Sequence, residues 1–167
     1  MDQDISQEVL PMAETKFWIC DVCGQPIERP EDGWVEWIVH SHGGKMGRDL
    51  RLVHHRPASP MPGGCQFNGR REHKRDGGSL GDLPLTAFMG PSGLMRLLAF
   101  IANETVPIEE TLEMIKRLHV PGYEHVRFHL RAATSAGVFD PIFGPGIIVE
   151  PQIDDVLEWL KEYEELA

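Results

Sequence analysis

The chain has 167 residues, 41% of them hydrophobic, three cysteines and a formal net charge of −10. That is enough for one full domain or two small ones around a packed core. No apolar run is long enough to span a bilayer, the start Met1-Asp-Gln-Asp lacks the basic and apolar regions of a signal peptide, and three cysteines do not make a disulfide framework, so the expected setting is a reducing cytoplasm with no membrane contact.

The charge is unevenly spread. Residues 1–40 carry two Lys/Arg against nine Asp/Glu (−7), residues 41–80 eight against three (+5), and residues 81–167 six against fourteen (−8). A basic middle between acidic flanks opposes loose binding along nucleic acid but leaves one local surface that could meet phosphates.

Residues 1–15 are acidic with few apolar positions and are expected to be a largely disordered tail. A short apolar strand, Phe17-Trp-Ile19, then feeds Cys20-Asp-Val-Cys23-Gly24. Two cysteines three positions apart with glycine after the second spell a metal knuckle: the turn aims both sulfurs at one ion, and glycine takes the positive φ that closes it. A thioredoxin-like redox pair would need a helix here, whereas Gly24-Gln25-Pro26 begins a turn.

Trp34 to His40 and Asp49 to His54 are rich in β-branched and aromatic residues and read as the strands of a hairpin. Strand alternation puts Leu50, Leu52 and His54 on one face and Arg51, Val53 and His55 on the other. The first face is the more apolar and directs His54 inward, with His55 the alternative if the strand ends in a bulge. Arg56 to Cys65 holds three prolines and two glycines, a loop able to return a ligand. The expected site is a closed structural Zn2+ held by Cys20, Cys23, His54 and Cys65.

Gln66 to Gly78 holds a run of basic residues. Candidate nucleic-acid contacts in the basic middle are Lys45, Arg48, Arg70, Arg71, Lys74 and Arg75. Residues 77–91, with several glycines and two prolines, read as a linker.

The remainder reads as helical. Leu94, Leu97, Leu98 and Ile101 recur at helical spacing after Ser92 as N-cap, and Ile108, Leu112, Ile115 and Leu118 mark a second helix from about Pro107 to His119. A third helix is expected from about Pro121 to Ala136, with Glu124, Arg127, Arg131 and Thr134 outward. Val138 to Val149 reads as two short strands around a Pro-Gly turn, and Ile153, Val156, Leu157 and Leu160 mark a last amphipathic helix.

The fold class expected is therefore α+β. A zinc-stabilised hairpin domain (residues 16–76, zinc ribbon or treble-clef-like) precedes a mainly helical domain (residues 92–167). Arg127-Phe-His-Leu-Arg-Ala-Ala-Thr-Ser-Ala-Gly137-Val-Phe resembles the recognition helix and wing entry of winged-helix repressors, over roughly residues 93–149. That resemblance implies a third helix offering Arg127 and Arg131 to a major groove. A second resemblance, to the HNH nucleases, is carried by His54-His55-Arg56-Pro57, Gly63-Gly64, Asn68 and His73-Lys74. It implies His55 as base and His54 as metal ligand, although Asn68 and His73 lie closer together than in that family. No nucleophile elbow, phosphate loop or dinucleotide fingerprint appears, and nothing points to a small-molecule substrate. The expected function is non-catalytic binding or regulation, with nucleic acid as first partner and a protein, met by the acidic flanks and the tryptophan-bearing hairpin, as the alternative.

Overall fold

In the computed structural model, residues 17–40, 46–140 and 147–165 are described. The expected tail 1–15, Lys45, and the Pro-Gly turn between Val138 and Val149 (residues 141–146) lie outside them.

The architecture is α+β with small antiparallel sheets. Strands β1 (Trp18–Ile19) and β2 (Pro26–Ile27) pair around the cysteine knuckle. Strands β3 (Gly33–Val39) and β4 (Arg48–His54) form the expected hairpin, with Gly33 opposite His54, Glu36 opposite Arg51, and a bulge between Glu36 and Ile38. Helix α1 (Gly69–Asp76) follows, its first turn capped by the Asn68 side chain accepting the Arg71 N–H.

The segment expected as a linker departs from that expectation. Ser79–Pro84 is a strand, β5, antiparallel to β3, which makes β3 the middle strand in the order β4-β3-β5. Leu85 and Phe88, in the 3-10 turn that follows, are fully buried. Glycine and proline in this stretch look like punctuation, but Leu80 and Leu83 find a partner strand some 45 residues earlier, a non-local pairing that overrides weak local propensity.

Helices α2 (Gly90–Ala102) and α3 (Ile108–His119) pack against each other and complete the main core. That core runs in sequence from Trp18 to Leu118, so the sheet and the two helices bury one continuous apolar surface. Trp37 and Phe88 meet each other and Phe100, which packs on this core, edge to face, ring centroids 4.8–6.3 Å apart. The hairpin tryptophans are therefore largely inside: Trp37 is buried and Trp34 half-buried, so they offer little to a partner.

The expected long third helix is two short ones, α4 (Tyr123–Val126) and α5 (Leu130–Ser135), separated by a turn at Arg127–His129. Glu124 points inward, not outward, and its carboxylate is fully buried. Residues 138–140 and 147–149, flanks of the expected wing, carry no strand. Helix α6 (Glu150–Glu165) then packs Ile153 and Val156 with Tyr123, Val126 and Ala133 in a second, smaller core. No described helix is long and apolar enough to cross a membrane.

Candidate metal centre

The knuckle is built by its own backbone. The Gly24 N–H bonds the Cys20 carbonyl at 3.0 Å, the Cys20 N–H bonds the Gln25 carbonyl at 3.0 Å, and Gly24 sits at φ 69, where a side chain would be strained. Both sulfurs thus face the end of β4, where His54 lies. From the other side the proline-rich loop brings in Cys65. The ligand atoms of Cys20, Cys23, His54 and Cys65 all lie within 4.8 Å of one another, and Cys20, His54 and Cys65 are buried. All three cysteines are free thiols. This donor set could bind a metal ion.

The neighbours of the cluster suit that use. His54 Nε2 lies 3.1 Å from the Pro26 carbonyl, which can only accept, so Nε2 carries the proton. Nδ1 is then left with its lone pair towards the cluster, 3.4 Å from Cys23 Sγ. The Ser59 hydroxyl stands 3.0 Å from Cys65 Sγ, placed to donate to a thiolate. His55, the alternative ligand, faces away: its ring stacks on Trp34 with centroids 4.6 Å apart. The two histidines therefore lie on opposite sides of the strand end.

Electrostatics in the cluster are asymmetric. Burial works against a charged Cys20, but backbone N–H groups of Cys23 and Val22 outweigh it and bring that thiol down to about 7. Burial, with the Cys20 and Cys65 sulfurs close by, pushes Cys23 up to about 11. Three thiolates packed this closely repel one another, and a cation between them relieves that repulsion.

Around the centre the charges are mostly paired. Asp21, inside the knuckle, accepts the Leu52 N–H at 2.7 Å, and its two oxygens share Arg117 Nη1 at 2.8 and 3.0 Å. Arg117 in turn holds Glu124 at 2.8 Å and the Ile19 carbonyl at 2.8 Å. The knuckle is thereby joined to α3 and α4 through buried polar contacts. Spacing alone gives no hint of this joint, because Asp21 and Arg117 are 96 residues apart.

The candidate nucleic-acid residues separate into two groups. Arg48 is paired with Asp49, Glu72 and Asp76, and Arg75 with Asp49 and Glu72. Arg127, only 15% exposed in its side chain, is paired with Glu124 and lies 3.7 Å from Asp21. Arg70, Arg71 and Lys74 are exposed together along α1, and Arg131 is exposed on α5. Asn68 is occupied as the α1 cap, and His73 is exposed on that helix.

A second concave feature had no signal in the sequence. A cavity of about 830 Å³ opens between β1, α4, α5 and α6, walled by Phe17, Ile19, Phe128, Trp159, Leu160 and Tyr163. His125, His129 and Lys161 also line it. Phe128 and Tyr163 are 58% and 66% exposed, high for aromatic rings.

Comparison of the chain with protein-family models, curated proteins and solved structures finds no match.

Proposed function

We propose that this chain is a non-catalytic binding protein whose fold is held by a structural zinc ion. The observation that carries the reading is the mutual approach of four ligand atoms, three thiols and one imidazole with its tautomer fixed, within 4.8 Å. Zinc bonds of about 2.3 Å to sulfur and 2.0–2.1 Å to nitrogen make a tetrahedron with edges of roughly 3.5–3.8 Å, close to the Cys23–His54 separation of 3.4 Å. Soft thiolates favour zinc over magnesium or calcium. Bound there, the ion would tie together the knuckle, the end of β4 and the Cys65 loop. Four protein ligands leave no position for a substrate or an activated water, which is why the reading is structural and not catalytic.

For the partner, the aromatic cavity favours a protein segment. Its exposed rings match the centre of a protein interface, and Lys161 with the two histidines, beside a Glu124 already paired with Arg117, would meet acidic flanks on the incoming chain. Nucleic acid is the second reading, supported by Arg70, Arg71 and Lys74, which share an exposed face of α1. A winged-helix use of residues 93–149 would rely on Arg131, because Arg127 is committed to Glu124.

Native mass spectrometry of the chain purified without added metal tests the first claim: one zinc per chain is expected, and a folded metal-free chain defeats it. Binding to a labelled 20-base-pair duplex across a salt series separates the partners. Contacts by the three α1 cations would give a slope of about −2.7 in log affinity against log salt, at roughly −0.9 per phosphate neutralised. The protein-partner reading expects no measurable duplex binding near physiological salt.

A further inference from the structure

Three of the four ligands are fixed by regular structure, and Cys65 is not. Cys20 and Cys23 belong to the backbone-bonded knuckle, and His54 closes β4 opposite Gly33. Cys65 follows Gly63 and Gly64, both at φ 88, in a stretch with neither strand nor helix. Its local contacts, the Gly64 N–H on the Met61 carbonyl at 3.0 Å, the Arg56 N–H on the Gln66 side chain at 2.9 Å and the Ser59 hydroxyl 3.0 Å from its Sγ, tie the loop to itself and not to the sheet.

What ties this end of the loop to the sheet is an ion pair on the hairpin. Glu36 in β3 and Arg51 in β4 are register partners, and Arg51 Nε donates to Glu36 at 2.8 Å. The Glu36 carboxylate is fully buried and takes the Phe67 N–H on both oxygens, at 3.0 and 3.1 Å. Arg51 Nη2 reaches the carbonyl of Cys65 itself at 3.3 Å, and the guanidinium lies 3.3 Å from the centroid of the Phe67 ring. One ion pair therefore grips the ligand residue at its carbonyl and the chain two residues later at its amide. A buried carboxylate on the middle strand is costly unless each oxygen has a partner. Here every partner leads to the sheet or to the Cys65 loop.

We infer that the Glu36–Arg51 pair is a positioning clamp for the Cys65 ligand, and that metal leaves this site through release of Cys65. The inference rests on the metal reading above. In the exchange step the metal–Cys65 bond breaks, a donor atom of an incoming chelator takes the vacated position, and the thiolate takes a proton from water. No redox change is involved.

The test uses the full chain loaded with Co2+, whose near-ultraviolet sulfur-to-metal absorption counts the thiolates bound. Wild type is expected to show three-thiolate intensity. Arg51→Met and Glu36→Gln are expected to drop towards two-thirds of it and to hold metal about 10–100-fold more weakly in competition with EDTA, the scale of outer-sphere ligand supports. Arg29→Met, which removes an exposed Arg29–Asp32 pair that makes no hydrogen bond to Cys65 or Phe67, is expected to match wild type and serves as the control. If Arg51→Met does not fold, Glu36→Gln, which keeps the side-chain volume, carries the test alone. Variants that keep three-thiolate intensity overturn the clamp, whatever their melting temperature. A wild-type chain that takes up no stoichiometric cobalt is a different failure, that of the metal reading itself.

Discussion

Arg117 on α3 meets Asp21 of the cysteine knuckle at 2.8 Å, and the same guanidinium holds the buried Glu124 carboxylate at 2.8 Å. Arg117 is 4% exposed, so two carboxylates depend on one buried cation. Removing the cation leaves Glu124 buried with only the partly exposed Arg127 and the Ile19 N–H as partners. Arg117→Met is therefore expected to cost about 3–5 kcal/mol of stability, the usual range for breaking one side of a buried pair. Urea unfolding measures it. A loss below about 1 kcal/mol would show that the joint between knuckle and helices adds little.

Helix α2 starts so close to the preceding turn that only glycine fits. A Cβ on Gly93 would stand 1.9 Å from the Phe88 carbonyl carbon and 2.0 Å from its oxygen, and both are backbone atoms that cannot rotate away. In an open helix Gly→Ala gains up to about 1 kcal/mol. At this position Gly93→Ala is expected to lower stability by about 1–3 kcal/mol, the cost of overpacking, by shifting α2 away from Phe88. A chemical-denaturation midpoint at or above wild type would contradict this close approach.

His119, at the end of α3, supplies the pH dependence. Burial holds its imidazole below the ordinary value of 6.5, although the Phe88 backbone works the other way, and its Nε2 is buried with no hydrogen-bond partner among the described residues. The folded chain then binds fewer protons here than the unfolded chain. The contribution is complete above pH 6.5 and is lost as pH falls through the lowered folded value. Urea midpoints at pH 7 and pH 5.5 should differ less in His119→Gln than in wild type. Equal differences would remove His119 as the titrating group.

Much of this architecture can be read from local sequence, and the exceptions share a cause. The knuckle, the hairpin and the inward face of His54 follow from spacing and alternation over a few residues. So do α2, α3 and α6, from apolar residues at helical intervals. β5 could not be found this way, because Ser79–Pro84 becomes a strand only when β3 is already beside it. Nor could the break between α4 and α5, since the 121–136 stretch has acceptable helical periodicity. Glu124, on α4 before the break, pairs with Arg117, whose other side holds Asp21 in the knuckle. The same long-range pairing turned Arg127 from an expected groove contact into a half-buried partner of Glu124. Charge type was legible in the sequence; which charges find each other was not.

Removing the metal should show how far the rest of the chain depends on the cluster. Structural zinc in small peptides contributes an apparent 10–16 kcal/mol at neutral pH, as much as or more than the whole stability of a typical domain. Trp18, Cys20 and Cys65 belong to the main core, next to β3, β4 and the Phe88 turn, so losing the ion removes support from the core itself. The smaller core of α4, α5 and α6 holds no ligand. Its polar ties to the knuckle run through Arg117, which bridges Glu124 and Asp21, and through the Ile19 N–H on Glu124. Cys20→Ser, or wild type treated with EDTA, is therefore expected to lose the near-ultraviolet circular dichroism of Trp18, Trp34 and Trp37 while keeping part of its helical far-ultraviolet signal. Adding zinc back should restore wild type but not Cys20→Ser. A Cys20→Ser chain with unchanged tryptophan signals and unchanged melting would mean that the four residues converge without holding an ion that matters to the fold.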